Sequence, residues 1–305
     1  MLRQAENRCR IEGILSEINL KYGSYVKNGV PVDTIGGDIK VLVNQQINGE
    51  DVKLIIPVYM FSPKLTNAGK LNPAYESIEK VMKEYISIAS GAGEAGADKI
   101  RITSGTIRMN EYYNQQGQLV SFPRISASFI QKATGEFRPE ASWSLEFAIS
   151  SFDFVTDADG VEVEPKKLRV KVIVPQYGGK VDTMELHATN PRVIDAITSY
   201  WENGKTYSAK GRLNFTSTTR EIVQEYDFGE PETRYQTIAV SELIVTKGTQ
   251  APLEDDMAFA PAELAAALKE HKAYLETLKD KTASKPKNTP APSGSSANEA
   301  FDLGF

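Results

Sequence analysis

Apolar and polar residues alternate with period two through much of the chain, in runs bounded by glycine and asparagine turns, which is the pattern of half-buried strands. Residues 8–17 predict a long first strand, with Gly13 marking a bulge or tight bend. A polar loop is expected next, carrying Lys21, Tyr22, Tyr25 and Lys27 and the turn signals Asn28-Gly29 and Gly36-Gly37. Residues 38–46 and 51–61 flank Asn48-Gly49, the pair best suited to a type I′ hairpin. In the later strand Val52, Leu54, Ile56, Val58 and Met60 share one face, which turns Lys53, Tyr59 and Phe61 to the other. Asn72-Pro73 then signals a helix start, and Ile78, Val81, Met82, Tyr85 and Ile86 fall at helical spacing until Gly91 and Gly93. Strands at 100–110 and 119–131 close this unit and carry Arg101, Arg108, Tyr112, Phe122, Arg124 and Phe129.

The same order then repeats. Residues 143–155 predict a long strand; 168–177 and 180–188 flank Gly178-Gly179; Asn190-Pro191 opens a helix to about Trp201; 206–215 and 235–247 complete the set, the last two separated by a long acidic loop at 216–233. Ile39-Lys40-Val41-Leu42-Val43 answers Val170-Lys171-Val172-Ile173-Val174, Asn72-Pro73 answers Asn190-Pro191, and Gly105-Thr106-Ile107 answers Gly211-Arg212-Leu213. A helix between the third and fourth of five strands is the connectivity of the OB-fold, a small Greek-key barrel. The chain therefore reads as mainly β, with two tandem OB-fold domains at 1–138 and 139–250, a linker and amphipathic helix at 251–282, and a tail at 283–305.

In that helix Leu264, Leu268, His271, Leu275 and Leu278 form one stripe, which packs against a domain or serves as a spacer. The tail is Ser, Pro, Lys, Asn and Ala with almost nothing to bury, so it is expected to be disordered. It ends in Asp302, Leu303, Gly304 and Phe305. An acid and a terminal ring suit a docking peptide, beside the plainer reading of a frayed terminus.

Composition narrows the chemistry. With 305 residues, 41% of them hydrophobic, two cores can be buried. One cysteine and two histidines exclude a disulfide framework and a His/Cys metal site, so no cofactor or metal is expected, and the compartment reads as cytoplasmic with no membrane anchor or signal peptide. The net charge of −5 leaves polyanion binding open, since local patches matter more than totals. No phosphate loop, nucleophile elbow or histidine-activated nucleophile is present, and Asp157-Ala158-Asp159-Gly160 reads as a surface turn rather than a calcium loop. An enzyme is not expected.

Binding is the reading that remains. Single strands are held by rings stacking on bases within a cationic groove. The first domain offers Tyr22, Tyr25, Tyr59, Phe61, Tyr112 and Phe122 as rings and Lys21, Lys27, Lys40, Lys53, Arg101, Arg108 and Arg124 as charges; the second offers Lys167, Arg169, Lys171, Tyr177, Lys210 and Arg212. Against each stands the default of core packing for a ring and a solvated face for a charge. The acidic loop, with Glu221, Glu225, Asp227, Glu230 and Glu232, leads us to expect stronger binding at the first domain.

With these parts in view, the chain resembles single-stranded DNA-binding proteins of bacteriophages and mobile elements, around residues 11–25 and in its closing Asp302-Leu303-Gly304-Phe305. In bacterial members an acidic tip ending in proline and phenylalanine recruits replication and repair proteins. Here Asp302, Leu303 and Phe305 match, while Gly304 stands in place of proline and few acids precede it. The resemblance implies protection of single-stranded DNA during DNA replication or recombination, with partner proteins at the tip, in a monomer or a homodimer within a bacterial host's cytoplasm. The alternative is a virion structural or assembly protein built of tandem β-domains.

Overall fold

The computed structural model describes residues 2–47, 49–224 and 232–283. A first barrel is made by β1 (Asn7–Lys27), β2 (Val30–Ile47), β3 (Glu50–Pro63), β4 (Lys99–Tyr113) and β5 (Leu119–Ser126), with helices α1 (Pro73–Glu84) and α2 (Gly93–Gly96) between β3 and β4. The two-residue β6 (Gln131–Lys132) pairs with Ile100 and Arg101 of β4. Strand order β1-β2-β3-β5-β4 closes on β1, and its one parallel contact sets Val58 against Ile125 and Tyr59 against Ser126. A second circuit uses β7 (Glu140–Phe154), β8 (Leu168–Pro175), β9 (Val181–Ala188), α3 (Pro191–Tyr200), β10 (Thr206–Gln224) and β11 (Glu232–Gly248). Its order β7-β8-β9-β11-β10 closes on β7, again with one parallel contact, between β9 and β11. Both circuits follow OB-fold connectivity.

Local chemistry explains the repetition. Asn72 and Asn190 each cap a helix by accepting from the backbone N–H two residues on, at 3.0 Å, and each is followed by proline at the first helical position. The alternating runs place Ile39, Val41 and Val43, and likewise Val170, Val172 and Val174, inside. Gly105 and Gly211 occupy matching places: Gly105 lies opposite Cys9 on β1, and Gly211 opposite Trp143 on β7.

These two places meet at the junction. β1 pairs antiparallel with β7 from Asn7 opposite Leu145 to Glu12 opposite Glu140, so β4, β1, β7 and β10 form one continuous sheet, with Gly105, Cys9, Trp143 and Gly211 in one row. One hydrophobic core runs through both barrels. Asn7 bridges to the backbone of Ile107, donating to its carbonyl at 2.6 Å and accepting from its N–H at 2.9 Å. Arg108 Nε donates to Asp182 Oδ2 at 2.8 Å, tying β4 to β9. The barrels are therefore fused through paired backbone rather than strung on a linker.

Several sequence expectations are corrected. The polar loop after the first strand is a ribbon: β1 continues to Lys27 and pairs with β2 down to Lys27 opposite Val30, with the turn at Asn28-Gly29. Gly36-Gly37 is inside β2, not a turn; Gly37 has φ +143° and a Cβ there would lie 2.0 Å from the Asn19 carbonyl oxygen, so glycine lets the strands pass. Aromatic and β-branched residues such as Tyr22, Tyr25 and Val32 support the pairing. The acidic loop is likewise mostly ladder, paired from Ala209 opposite Gly248 out to Gln224 opposite Glu232. Glu221 and Glu232 lie on those strands, whereas Glu225, Asp227 and Glu230 lie outside the described residues. Finally, α1 stops at Glu84, where Tyr85 turns extended, and β5 stops at Ser126.

Helix α4 (Pro261–Ala283) lies across β4 of the first barrel and β9 of the second. Leu264 and Ala267 are buried, and Leu268, His271, Leu275 and Leu278 are half-buried along the same stripe, so the helix packs against the body. His271 Nε2 is 3.3 Å from Glu111 Oε2 on β4. That carboxylate holds the imidazole's pKa above the usual 6.5, against the opposing effect of burial. A raised folded value gives stability that is complete below the unfolded pKa and disappears as pH rises through the folded one. The melting temperature should therefore decline as pH rises above 6.5, and His271→Gln should flatten that decline; parallel pH profiles for the two proteins would refute the linkage.

Candidate nucleic-acid interface

On the outer face of the first barrel β3, β4 and β5 border a shallow cleft of about 430 Å³. Tyr59 and Phe61 come from β3, Thr106 from β4, and Ser126 from β5; the chain leaving β5 adds Ser128 and Phe129. Strand alternation puts these β3 rings outside, because Val58 and Met60 fill the interior completely. Phe129 is 50% exposed. The cleft is thus lined by three rings beside several hydroxyls, an arrangement suited to flat heteroaromatic groups that carry hydrogen-bonding edges.

Cations border it. The Arg124 guanidinium lies over the Tyr59 ring, 3.8 Å from its centroid. Arg108 sits directly opposite Arg124 on β4, and Asp38 sits opposite Tyr59 on β2. Burial raises the Asp38 pKa, and the Arg124 charge works against that rise. Burial also depresses Arg124 somewhat, with Asp38 opposing. Tyr112 and Phe122 stand further out on the β4–β5 hairpin as an edge-to-face pair, 6.5 Å between centroids, both exposed.

Most of the other basic residues singled out from sequence are engaged elsewhere. Arg101 grips Glu12 through two bonds of 2.8 Å and also donates to the Glu136 carbonyl. Lys40 pairs with Glu17 at 2.5 Å, Lys53 with Glu94 at 3.3 Å, Arg108 with Asp182, Lys167 with Glu242, and Arg169 with Asp153. Burial lowers the Arg212 pKa, with Glu242 nearby opposing. Lys171 and Lys210 are exposed, and Tyr177, in a short turn after β8, is 82% exposed. On the β1–β2 ribbon Lys21 and Lys27 are exposed, Tyr25 is half-buried, and the Tyr22 hydroxyl donates to Glu79 on α1 at 2.7 Å. The structure therefore brings Tyr59, Phe61 and Arg124 together at one cleft, with Arg108 beside Arg124 but bonded to Asp182, and distributes the rest over other strands of the first barrel, the ribbons and the second barrel. Asp302, Leu303, Gly304 and Phe305 lie outside the described residues.

Phe129 joins the cleft although it is absent from the sequence-derived site, as are Thr106, Ser126 and Ser128. A strand continued to residue 131 would have aimed Phe129 along with Ile125 and Ala127 into the core. Because β5 ends at Ser126, its ring emerges instead. Among the described residues no group of three or more His, Cys, Asp or Glu could hold a metal ion, and no helix is long and apolar enough to cross a membrane.

Strand order and cleft together define an OB-fold protein with an open, ring-lined outer face. The chain belongs to the YorF family, whose profile matches residues 5–281. Among solved structures it is similar to a deletion mutant of the single-stranded DNA binding protein from Thermus aquaticus, at 14% identity over 83% of this chain and 97% of that one, with a TM-score of 0.48. It is also similar to a replication protein A heterotrimer bound to ssDNA, at 9% identity over 91% and 70% of the two chains, with a TM-score of 0.19. Both scores are low, so the fold assignment rests on the strand pairings themselves. No curated protein matches the sequence.

Proposed function

We propose that the protein binds single-stranded DNA without catalysing a reaction. The observation that carries this reading is the cleft in which Tyr59, Phe61 and Phe129 stand beside hydroxyls, with Arg124 over the Tyr59 ring. Bases of a single strand have free faces to lay on rings, and its phosphates require cations within reach of those rings. Duplex fits poorly, since its bases are already stacked on one another.

In this reading residues 1–138 and 139–250 are two binding units, 251–282 joins them to the tail, and 283–305 ends in a tip at Asp302, Leu303, Gly304 and Phe305 that docks replication or recombination proteins. Phage or mobile-element DNA is the setting that the sequence resemblance suggests. Anisotropy of a labelled thymidine oligonucleotide tests the core claim: affinity should fall steeply with salt, unlabelled duplex should compete weakly, and a chain ending at Ala283 should bind as well as the whole. Absence of binding at low salt, or equal competition by duplex, would overturn the reading.

A further inference from the structure

The ion pairs that engage Lys40, Lys53, Arg101, Arg108, Lys167 and Arg169 leave other basic residues uncommitted. Across the junction sheet Arg8 on β1 lies opposite Ser144 on β7, Ser144 opposite Lys210 on β10, and Lys210 opposite Lys247 on β11. Directly opposed residues point to the same face. Their neighbours Cys9, Trp143 and Ala209 are buried, so this row faces out, and Arg8, Lys210 and Lys247 are exposed. Among the described residues none of these three cations forms an ion pair, in a chain whose net charge is −5. Between Arg8 and Lys210 the Ser144 hydroxyl is shielded and has no hydrogen-bond partner among the described residues.

The row leads back to the cleft. Cys9, next to Arg8, is opposite Gly105 on β4, whose neighbour Thr106 lies opposite Ser126, and Ser126 lies opposite Tyr59. From Tyr59 to Lys247 the path crosses β3, β5, β4, β1, β7, β10 and β11, six strand spacings or about 29 Å along the surface. Along it Thr106, Ser126 and Ser144 supply hydroxyls, and Arg8, Lys210 and Lys247 supply cations.

We infer that Arg8, Lys210 and Lys247 carry the phosphate backbone of a single strand from the first barrel's cleft across the junction to the second barrel. This inference rests on the single-strand reading above and adds a route to it. Neither Arg8 nor Lys247 belongs to the base-stacking cleft, so their contribution is electrostatic and independent of base sequence. The fused β1–β7 ladder gives the route a fixed geometry: both ends of the strand are held by one rigid surface, with no linker to order on binding.

The test is the salt dependence of binding by the full chain, measured for Arg8→Gln/Lys210→Gln and for Lys269→Gln, an exposed lysine on α4, as a charge control. Each lost phosphate contact should make the slope of log K against log[salt] shallower by about 0.7. With a thirty-nucleotide thymidine strand the double variant should lose about 1.4 from the slope and the control nothing. With a strand of about four nucleotides, the smallest that one OB barrel takes, wild type and variant should have equal slopes. An unchanged slope on the long strand, or an equal loss on the short one, would overturn the route while leaving single-strand binding standing. Failure of the wild type to bind either strand would overturn the reading beneath it.

Discussion

Gly211→Ala should destabilise the protein by about 3 kcal/mol or more, the upper range for forcing atoms into a packed core. A Cβ at position 211 would lie 1.9 Å from the Ile244 carbonyl oxygen and 2.4 Å from a ring carbon of Trp143. Neither can yield cheaply, because Ile244 is in the β10–β11 ladder and Trp143 is 2% exposed, with its indole N–H donating to the Arg212 carbonyl. The matching substitution, Gly105→Ala, brings a Cβ to 3.2 Å from the Cys9 Cβ, a contact relieved by a few tenths of an ångström, and should cost less than about 1 kcal/mol. Thermal unfolding separates the two: a loss of about 6 to 12 °C for the first and a small shift for the second. Equal shifts would mean that the junction row is more plastic than its distances imply.

That asymmetry also marks what sequence could convey. Gly105-Thr106-Ile107 and Gly211-Arg212-Leu213 are visible as a repeat because both glycines answer one topological demand, the passage of a neighbouring side chain across the sheet at Cys9 or Trp143. The caps at Asn72 and Asn190 were legible for a similarly local reason, since side chain, proline and helix start lie within three residues. The ribbons were not. Ile18, Leu20 and Tyr22 do alternate with Asn19, Lys21 and Gly23, but beyond them the ribbon is mostly exposed and Gly23-Ser24 interrupts the pattern, so the stretch reads as a loop. Nor did any spacing show that β1 and β7 pair, because a contact 134 positions apart, as between Cys9 and Trp143, has no local signature.

The site divides along the same line. Tyr59 and Phe61 follow from period-two alternation on a strand whose inward set is unmistakable. Charges do not follow from alternation, since facing outward says nothing about what faces them: Arg101 points outward and is gripped by Glu12, 89 residues away. Arg8 and Lys247 are equally plain in sequence, and the part proposed for them could be read only once the acids were seen paired elsewhere. Sequence locates rings well and cations poorly, because ring placement depends on local geometry while a cation's availability is settled by distant partners.

The cleft makes the most demanding prediction. Phe61→Ala/Phe129→Ala should weaken binding of a thymidine strand by about 2 to 6 kcal/mol, or roughly 30-fold to 10⁴-fold, at 1 to 3 kcal/mol for each stacked base. Folding should be little affected, because Phe61 is half-buried on the outer face and Phe129 lies beyond the end of β5. Tyr59 is less suited to the test: Arg124 rests on its ring, so removing it would disturb a cation as well. Loss of affinity alone would not prove stacking, since a widened cleft could also misplace the phosphates. An abasic strand of equal length resolves this, having the same backbone and nothing to stack. Wild type should bind it much more weakly than thymidine, and the double variant, left with Tyr59 as the cleft's one ring, should lose most of that preference. The two losses would then be non-additive, as expected when ring and base are two halves of one contact. If the variant instead lost as much affinity for the abasic strand as for thymidine, the rings would be shaping the groove rather than holding bases, and the cations around Arg108 and Arg124 would have to supply the affinity assigned here to Phe61 and Phe129.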